Sequence, residues 1–219
     1  MNAVPLKKGD RAERLVEEIR QAIISGALKP GAALRQEELA KTYQSSRMPI
    51  REALRTLGGE GLVQLTPNRG GIVAPIDAAE LRENVEMREA AEVLAMRVAL
   101  PHLSNAQIDK AAALQEELAR SGLEDFGRLN KAFHLTLYAP SNRPRLLTHI
   151  SGLHDIAERY LRLTLVEFDY ISRSSAEHEE IIDACYRRDA EAAIAATSRH
   201  ILDAGETLLA LLEKGRQAG

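Results

Sequence analysis

The sequence predicts a mainly α protein in two parts, an N-terminal winged helix-turn-helix followed by a C-terminal antiparallel α-helical bundle of six or seven helices. Three observations carry that expectation. Hydrophobic residues make up 45% of the 219-residue chain, yet aromatics are only 4% and tryptophan is absent; a core of Leu, Ile, Val and Ala suits packed helices better than sheets. β-Type runs are confined to LVQLT and GIVAP, joined by PNRG, whose proline, asparagine and glycine suit a hairpin turn. Charge changes where the pattern changes. Residues 1–76 carry 12 Lys/Arg against 8 Asp/Glu, a net of +4, whereas residues 77–219 carry 17 against 24, a net of −7. We therefore expect domains at 1–76 and 77–219, the first being the candidate for a polyanionic partner.

Each element has its own local reason. DRAERLVEEIRQAIISG, residues 10–26, sets Leu15, Val16, Ile19, Ala22 and Ile23 on one helical face, and Gly26 supplies a stop. LKPGAAL reads as a turn. QEELAKTY, residues 36–43, is a short second helix with Leu39 and Ala40 inward, and QSS is a tight turn. The third helix starts near Ser46 and runs to about Gly58, burying Ile50, Ala53, Leu54 and Leu57. Pro49 falls in its first turn, where proline gives up only an amide that lacks an intrahelical partner; deeper in the helix it would cost ~3 kcal/mol.

Beyond the hairpin everything reads helical. Asp77 with Glu80 has the spacing of a capping box and opens a helix to about Ala99, ended by Pro101; Ser104 with Gln107 opens another to about Arg120. Further helices are expected at 124–138, 143–166, 170–187 and 190–214, the last capped by Asp189 and stopped by Gly215. Short loops between them imply antiparallel neighbours.

Several classes are excluded. The N-terminus lacks an apolar secretory core and no window approaches the ~20 apolar residues of a membrane span, so a soluble, cytoplasmic protein with no membrane partner is expected. The single cysteine, Cys185, leaves no internal disulfide framework and no finger-type zinc site. It reads as a small apolar filler.

SSRMPIREAL, residues 45–54, places Arg47 and Arg51 one turn apart at a helix start. Together with the run from LVEEIRQAIISGALKPGAAL through EGLVQLTPNRGGIVAP, it resembles the DNA-binding domain of GntR-type bacterial regulators. The resemblance implies a recognition helix entering the major groove N-terminus first. Arg47 and Arg51 then grip base edges, a bidentate arginine–guanine pair being worth ~1–3 kcal/mol of discrimination. Ser46 reaches a phosphate, and Met48 and Pro49 lean on a thymine methyl or space the arginines. In the wing, Arg69 with Gly70 and Gly71 approaches the minor groove, glycines letting the backbone come close. Glu37 stands where relatives carry an arginine on the DNA backbone, so Arg35 is expected to take that contact. Arg55 reads as a solvated face.

The second half resembles the FCD effector domain of the FadR branch of that family, through MREAAEVLAMRVA (87–99), NKAFHLTLY (130–138), Ser141 and Asn142, EHEEIIDACYRRDAEAA (177–193) and SRHI (198–201). The resemblance implies a divalent metal held by Asn130, His134, His178 and His200. Asn130 and His134 are one turn apart on one helix face. Three imidazoles suit zinc, with nickel or another divalent ion also compatible, and leave an open position for a ligand oxygen. Asn130 brings no charge where many relatives have Asp. The resemblance also points Arg88 toward an effector carboxylate and puts Asn142 in the turn before the next helix, as a turn former or a ligand contact. His102, His149 and His154 read as ordinary polar residues, and Glu89 and Glu92 as helix-surface charges. Periodicity leaves open whether Arg159 and Arg162 line the cavity.

The function implied is a homodimeric, sequence-specific transcriptional regulator, expected to be a repressor, binding a palindromic operator and responding to a small organic acid. Two alternatives for the helical domain stay open: a direct sensor of the metal, and a metal-dependent enzyme acting on a small carboxylate. The enzyme is disfavoured because no general base is evident beside the site; Glu177 neighbours His178 in sequence and so points away from it on a helix.

Overall fold

The structure, a computed structural model, describes residues 8–66, 70–163 and 168–217. Arg69 lies outside the described residues, as does the side chain of Arg162. The chain divides into two compact units, Met1–Ile76 and Asp77–Gly219.

In the first unit, α1 (Lys8–Ile24), α2 (Gln36–Thr42) and α3 (Arg47–Gly59) combine with three short strands, β1 (Ala33–Leu34), β2 (Val63–Thr66) and β3 (Gly70–Val73). Leu15, Ile19 and Ile23 of α1 meet Ile50, Leu54 and Leu57 of α3 in a core with almost no exposed surface. Arg20 of α1 holds both carboxylate oxygens of Glu60, just past α3, at 2.8 and 2.9 Å. Gly26 (φ +77) ends the first helix and Gln44 (φ +47) makes the turn between α2 and α3. α3 begins after Ser46, whose extended backbone is that of an N-cap but whose hydroxyl bonds no amide of the helix.

The strands are antiparallel in the order β1-β3-β2, with Ala33 opposite Ile72 and Val63 opposite Val73. Strand β1 lies in the stretch that reads as a turn. Two residues carry no alternating pattern of their own, and their strand identity comes from pairing with β3. The sheet gives the wing glycines a packing role as well. Gly70 and Gly71 are both buried, and a Cβ on Gly70, at φ +104, would lie 2.0 Å from the Leu34 carbonyl oxygen. On Gly71 it would meet Val63 and the Gln64 carbonyl at 2.7 and 2.8 Å. Close packing of three strands leaves no room for a side chain at either position.

The second unit is helical: α4 (Ala78–Ala99), α5 (Asn105–Arg120), α6 (Leu123–Tyr138), α7 (Pro144–Leu163), α8 (Phe168–Tyr186) and α9 (Ala190–Gln217), with 3₁₀ turns at Leu100–His102 and Ala139–Ser141. Ser104 and Gln107 complete a reciprocal capping box, and Asp189 accepts from the Ala192 amide at 3.0 Å. At α4 only half the expected box forms. Asp77 accepts from the Ala79 amide, while Glu80 turns to Arg159 at 2.9 Å and to the Tyr160 hydroxyl; Arg159 is fully buried and needs a carboxylate more than the helix end does. α9 runs through Gly215 to Gln217, since one glycine costs a helix only about 1 kcal/mol.

Helix α4 packs against α6, α7 and α9, and α8 lies against α5 and α9. Phe133, Leu137, Ile150, Leu153, Ile181 and Cys185 belong to one buried apolar cluster. Cys185 is a filler in it, and burial pushes its thiol up to about 11.

The glycine geometry gives a paired prediction. Gly70→Ala is expected to lower the melting temperature and disrupt the sheet, the positive φ alone costing ~1–3 kcal/mol. Gly59→Ala, where an added Cβ meets nothing within 4 Å, is expected to be neutral or to stabilise by about 0.4–1 kcal/mol. Thermal unfolding of the two variants checks both.

Candidate functional site

Three histidines from three helices converge inside the second unit: His134 on α6, His178 on α8 and His200 on α9. They are 0%, 0% and 3% exposed, and each offers a ring nitrogen within 4.8 Å of the other two. What lies behind each ring decides which nitrogen points inward. His178 Nδ1 donates to Gln115 Oε1 at 2.6 Å, and His200 Nδ1 donates to Glu177 Oε2 at 2.7 Å. The Tyr138 hydroxyl donates to Glu92 at 3.1 Å, so its oxygen is free to accept from His134 Nδ1 at 3.2 Å.

With all three Nδ1 atoms carrying the proton, all three Nε2 atoms present lone pairs to the same small volume. Nε2 of His178 and of His200 face each other at 3.2 Å, and Nε2 of His134 is buried with no hydrogen-bond partner. Lone pairs confronting one another repel unless a cation lies between them. Two nitrogens on a tetrahedral zinc at ~2.0–2.1 Å stand ~3.3 Å apart, close to the spacing here. Asn130, one turn before His134 on α6, is half-buried, and its Oδ1 is also buried without a partner among the described residues. Burial holds His134 and His178 well below the usual histidine range, so both stay neutral and ready to ligate at neutral pH. The donor set fits a divalent ion of borderline softness.

Beside the triad is a charge that sequence reading placed on the surface. Glu92 is fully buried. Its carboxylate takes Arg88 Nε at 2.8 Å and the Tyr138 hydroxyl, and stands 3.3 Å from His154 Nε2 and 3.6 Å from His134 Nδ1. Burial alone would disfavour the ionised form; Arg88 first, then His154 and His134, hold the carboxyl well below its usual range. His154 is likewise buried and part of this network, not an ordinary surface histidine. His102 and His149 are exposed, as expected. Glu89 is half-buried and accepts from Ser198 at 2.8 Å.

Arg88 is thus inside the bundle, 6% exposed, and already paired. Arg159 is committed to Glu80 and stacks over Tyr160 with 5.1 Å to the ring centre. Asn142 is exposed and takes a left-handed conformation, φ +51, at the end of a 3₁₀ turn, as a turn former does. Gln115 and Glu177 gave no sequence signal for their contacts, because both reach histidines on other helices. Tyr138 and Glu92 were detectable in principle, each lying one turn beyond a candidate residue, His134 and Arg88.

In the first unit, Ser46, Arg47, Met48 and Arg51 are exposed at the start of α3, and Pro49 beside them is half-buried. Met48 keeps 60% of its surface open. Arg47 Nη2 lies 2.5 Å from Glu37 Oε1, and Arg35 Nη1 3.1 Å from Glu38 Oε1, both pairs well exposed. Arg51 makes no such pair among the described residues.

Comparison with known proteins agrees with this division. Residues 11–73 match the bacterial regulatory proteins of the gntR family and residues 83–203 match the FCD domain. An uncharacterized HTH-type transcriptional regulator in an unstable DNA locus of Streptomyces ambofaciens is 35% identical over 190 residues, covering 84% of this chain and 78% of that protein. The HTH-type transcriptional repressor RspR of Escherichia coli is 27% identical, covering 87% of this chain and 85% of that one. The structure of E. coli McbR/YncC superposes with a TM-score of 0.79 at 21% identity, over 93% of this chain and 98% of that one. The chain belongs to the gntR family of bacterial regulatory proteins, carries an FCD domain after its winged helix-turn-helix, and is a transcriptional regulator, not an enzyme.

Proposed function

We propose that the protein is a homodimeric repressor whose hold on a palindromic operator is set by a divalent ion and a small organic acid in its helical unit. The observation that carries the reading is the convergence of three buried histidine rings, Nε2 of His134 having no partner, one helical turn from Asn130, whose amide oxygen is also orphaned. His134, His178, His200 and Asn130 would hold the ion, zinc first among the candidates. Such an ion supplies an electrophilic centre that accepts a carboxylate oxygen. Arg88 would contribute the remaining donors of its guanidinium to the same anion. Repression is supported by the description of RspR as a repressor.

On DNA, the exposed Arg47 and Arg51 would read base edges in the major groove, with Ser46 and Arg35 on phosphates and Met48 and Pro49 against the bases. Two copies would set their recognition helices about one duplex turn, ~34–36 Å, apart. An effector acts only through its differential affinity for DNA-bound and free protein, so a carboxylate that releases the operator must bind the free form more tightly.

A second reading, a sensor of the ion itself, is favoured by one observation. Glu92 already neutralises Arg88, which leaves an incoming carboxylate less to gain.

Zinc added to metal-stripped protein is expected to bind one ion per chain and, at a hundredfold excess over its dissociation constant, to stabilise it by ~2.7 kcal/mol. His134→Ala and His178→Ala should each lose the ion and the thermal shift, and Asn130→Asp should tighten binding. An unshifted melting curve in wild type removes the site. Operator release tested with zinc alone, and with zinc plus a panel of small carboxylates, separates the two readings.

For the DNA-reading helix, Arg51→Ala is expected to cost ~1–3 kcal/mol on duplexes selected from a random pool and to relax discrimination at one position. Arg35→Ala should weaken selected and scrambled duplexes alike and flatten the salt dependence. Gel shifts on both duplexes decide; unchanged specificity in the Arg51 variant would defeat its assignment.

A further inference from the structure

We propose that Glu37 is a specificity-determining residue of the DNA-reading head, one that suppresses binding to non-cognate duplex by shadowing Arg47. The inference rests on the reading that Arg47 meets DNA, and goes beyond it.

Glu37 stands in the first turn of α2 and reaches across to the first residue of α3. Its carboxylate is 2.5 Å from the Arg47 guanidinium, with the side chains 64% and 69% exposed. As a source of folding stability such a pair is worth little, because water screens both charges and two long side chains must be ordered. Its consequence is for binding. Non-specific affinity for duplex comes from cations that neutralise phosphates and release condensed counterions. A carboxylate bonded to a guanidinium travels with it to the duplex and cancels the charge it brings. Arg47 therefore contributes little to a phosphate-only encounter.

Reading a base changes the balance. Arg47 can present two N–H groups to a guanine while the carboxylate takes another, since guanidinium has five donors in a planar fork. Glu37 then fixes the plane of that fork rather than competing for it. The same contact weakens the electrostatic mode, which every sequence offers, and supports the geometric mode, which only the right base offers. The neighbouring pair differs. Glu38 and Arg35 are three residues apart across the start of one helix, and Arg35 is not at the head of α3. Arg51, with no ion pair among the described residues, keeps its full charge for the groove.

The test uses the full-length chain and two probes: duplexes enriched from a random pool by the wild-type protein, and a scrambled duplex of equal length. E37Q removes the charge and keeps the shape at an exposed position, so folding is not at stake. E37Q is expected to raise affinity for the scrambled duplex about 1.5- to fivefold and to raise affinity for the enriched duplex by less, so that the ratio between them falls. Between ~50 and ~200 mM salt, the slope of log affinity against log salt should steepen by ~0.9 for each head. Equal affinities and slopes for E37Q and wild type would overturn the proposal. So would weaker binding to the enriched duplex with a new base preference at one position, which would make Glu37 a direct reader of a cytosine amino group. R47A keeps the two readings apart. If R47A leaves both duplexes unaffected, the assignment of Arg47 to DNA fails; if R47A weakens binding while E37Q changes nothing, the shadowing alone fails.

Discussion

The helical unit is organised around one buried carboxylate. An ionised group with no exposed surface is tolerated only if its neighbours replace the water it lost, and removing one partner of such a group typically costs about 3–5 kcal/mol. Glu92 meets that condition with side chains from three helices: Arg88 on its own α4, Tyr138 and His134 on α6, and His154 on α7. α4, α6 and α7 are therefore keyed to each other by a charge as well as by apolar packing. The key also sets chemistry. By accepting a hydrogen bond from the Tyr138 hydroxyl, Glu92 leaves the phenol oxygen to receive His134 Nδ1–H, and so turns the His134 lone pair toward His178 and His200.

The three histidines are held in their tautomers by three different devices. A neutral amide, Gln115, stands behind His178; a carboxylate, Glu177, stands behind His200; and a phenol relaying a more distant carboxylate stands behind His134. Outer partners of this kind fix ring orientation and raise ligand basicity. Two of the three place negative charge near a cluster whose fourth candidate, Asn130, has none. Burial supplies the rest of the preorganisation by keeping His134 and His178 neutral.

How much of this was legible from sequence depends on whether the cause was local. Ile50, Ala53, Leu54 and Leu57 were readable as the buried face of α3 because helical periodicity is written in the chain itself, and the Ser104–Gln107 cap because both halves of the signal lie within four residues. β1 was not, since its two residues become a strand only by pairing with Ile72 and Gly71. Glu92 looked like one more charge on a charged helix. A single substitution on an amphipathic helix carries no mark of which turn faces the core, and REAAEVLA places charges and alanines on both faces. The spacing that would have exposed it, Arg88 to Glu92, is also the commonest spacing of a solvated helix pair. Gly70 and Gly71 show the converse. Their presence was evident and their packing reason was not, because the obstructions lie on other strands: the Leu34 carbonyl for Gly70, Val63 and the Gln64 carbonyl for Gly71.

Burial also constrains how the helical unit can respond. On the proposed reading, an ion reaching the three Nε2 atoms has to pass side chains that leave the histidines at most 3% exposed. Loading then requires the bundle to open locally, separating contacts such as the Phe133 and His178 rings, stacked at 4.2 Å. The free energy of that opening slows both loading and release of the ion and leaves its affinity for the closed bundle unchanged. A surface site would bind without asking anything of the fold. A buried one links occupancy to the population of closed bundles, which gives the bound ion a differential affinity for two arrangements of the chain, the one property a switch requires.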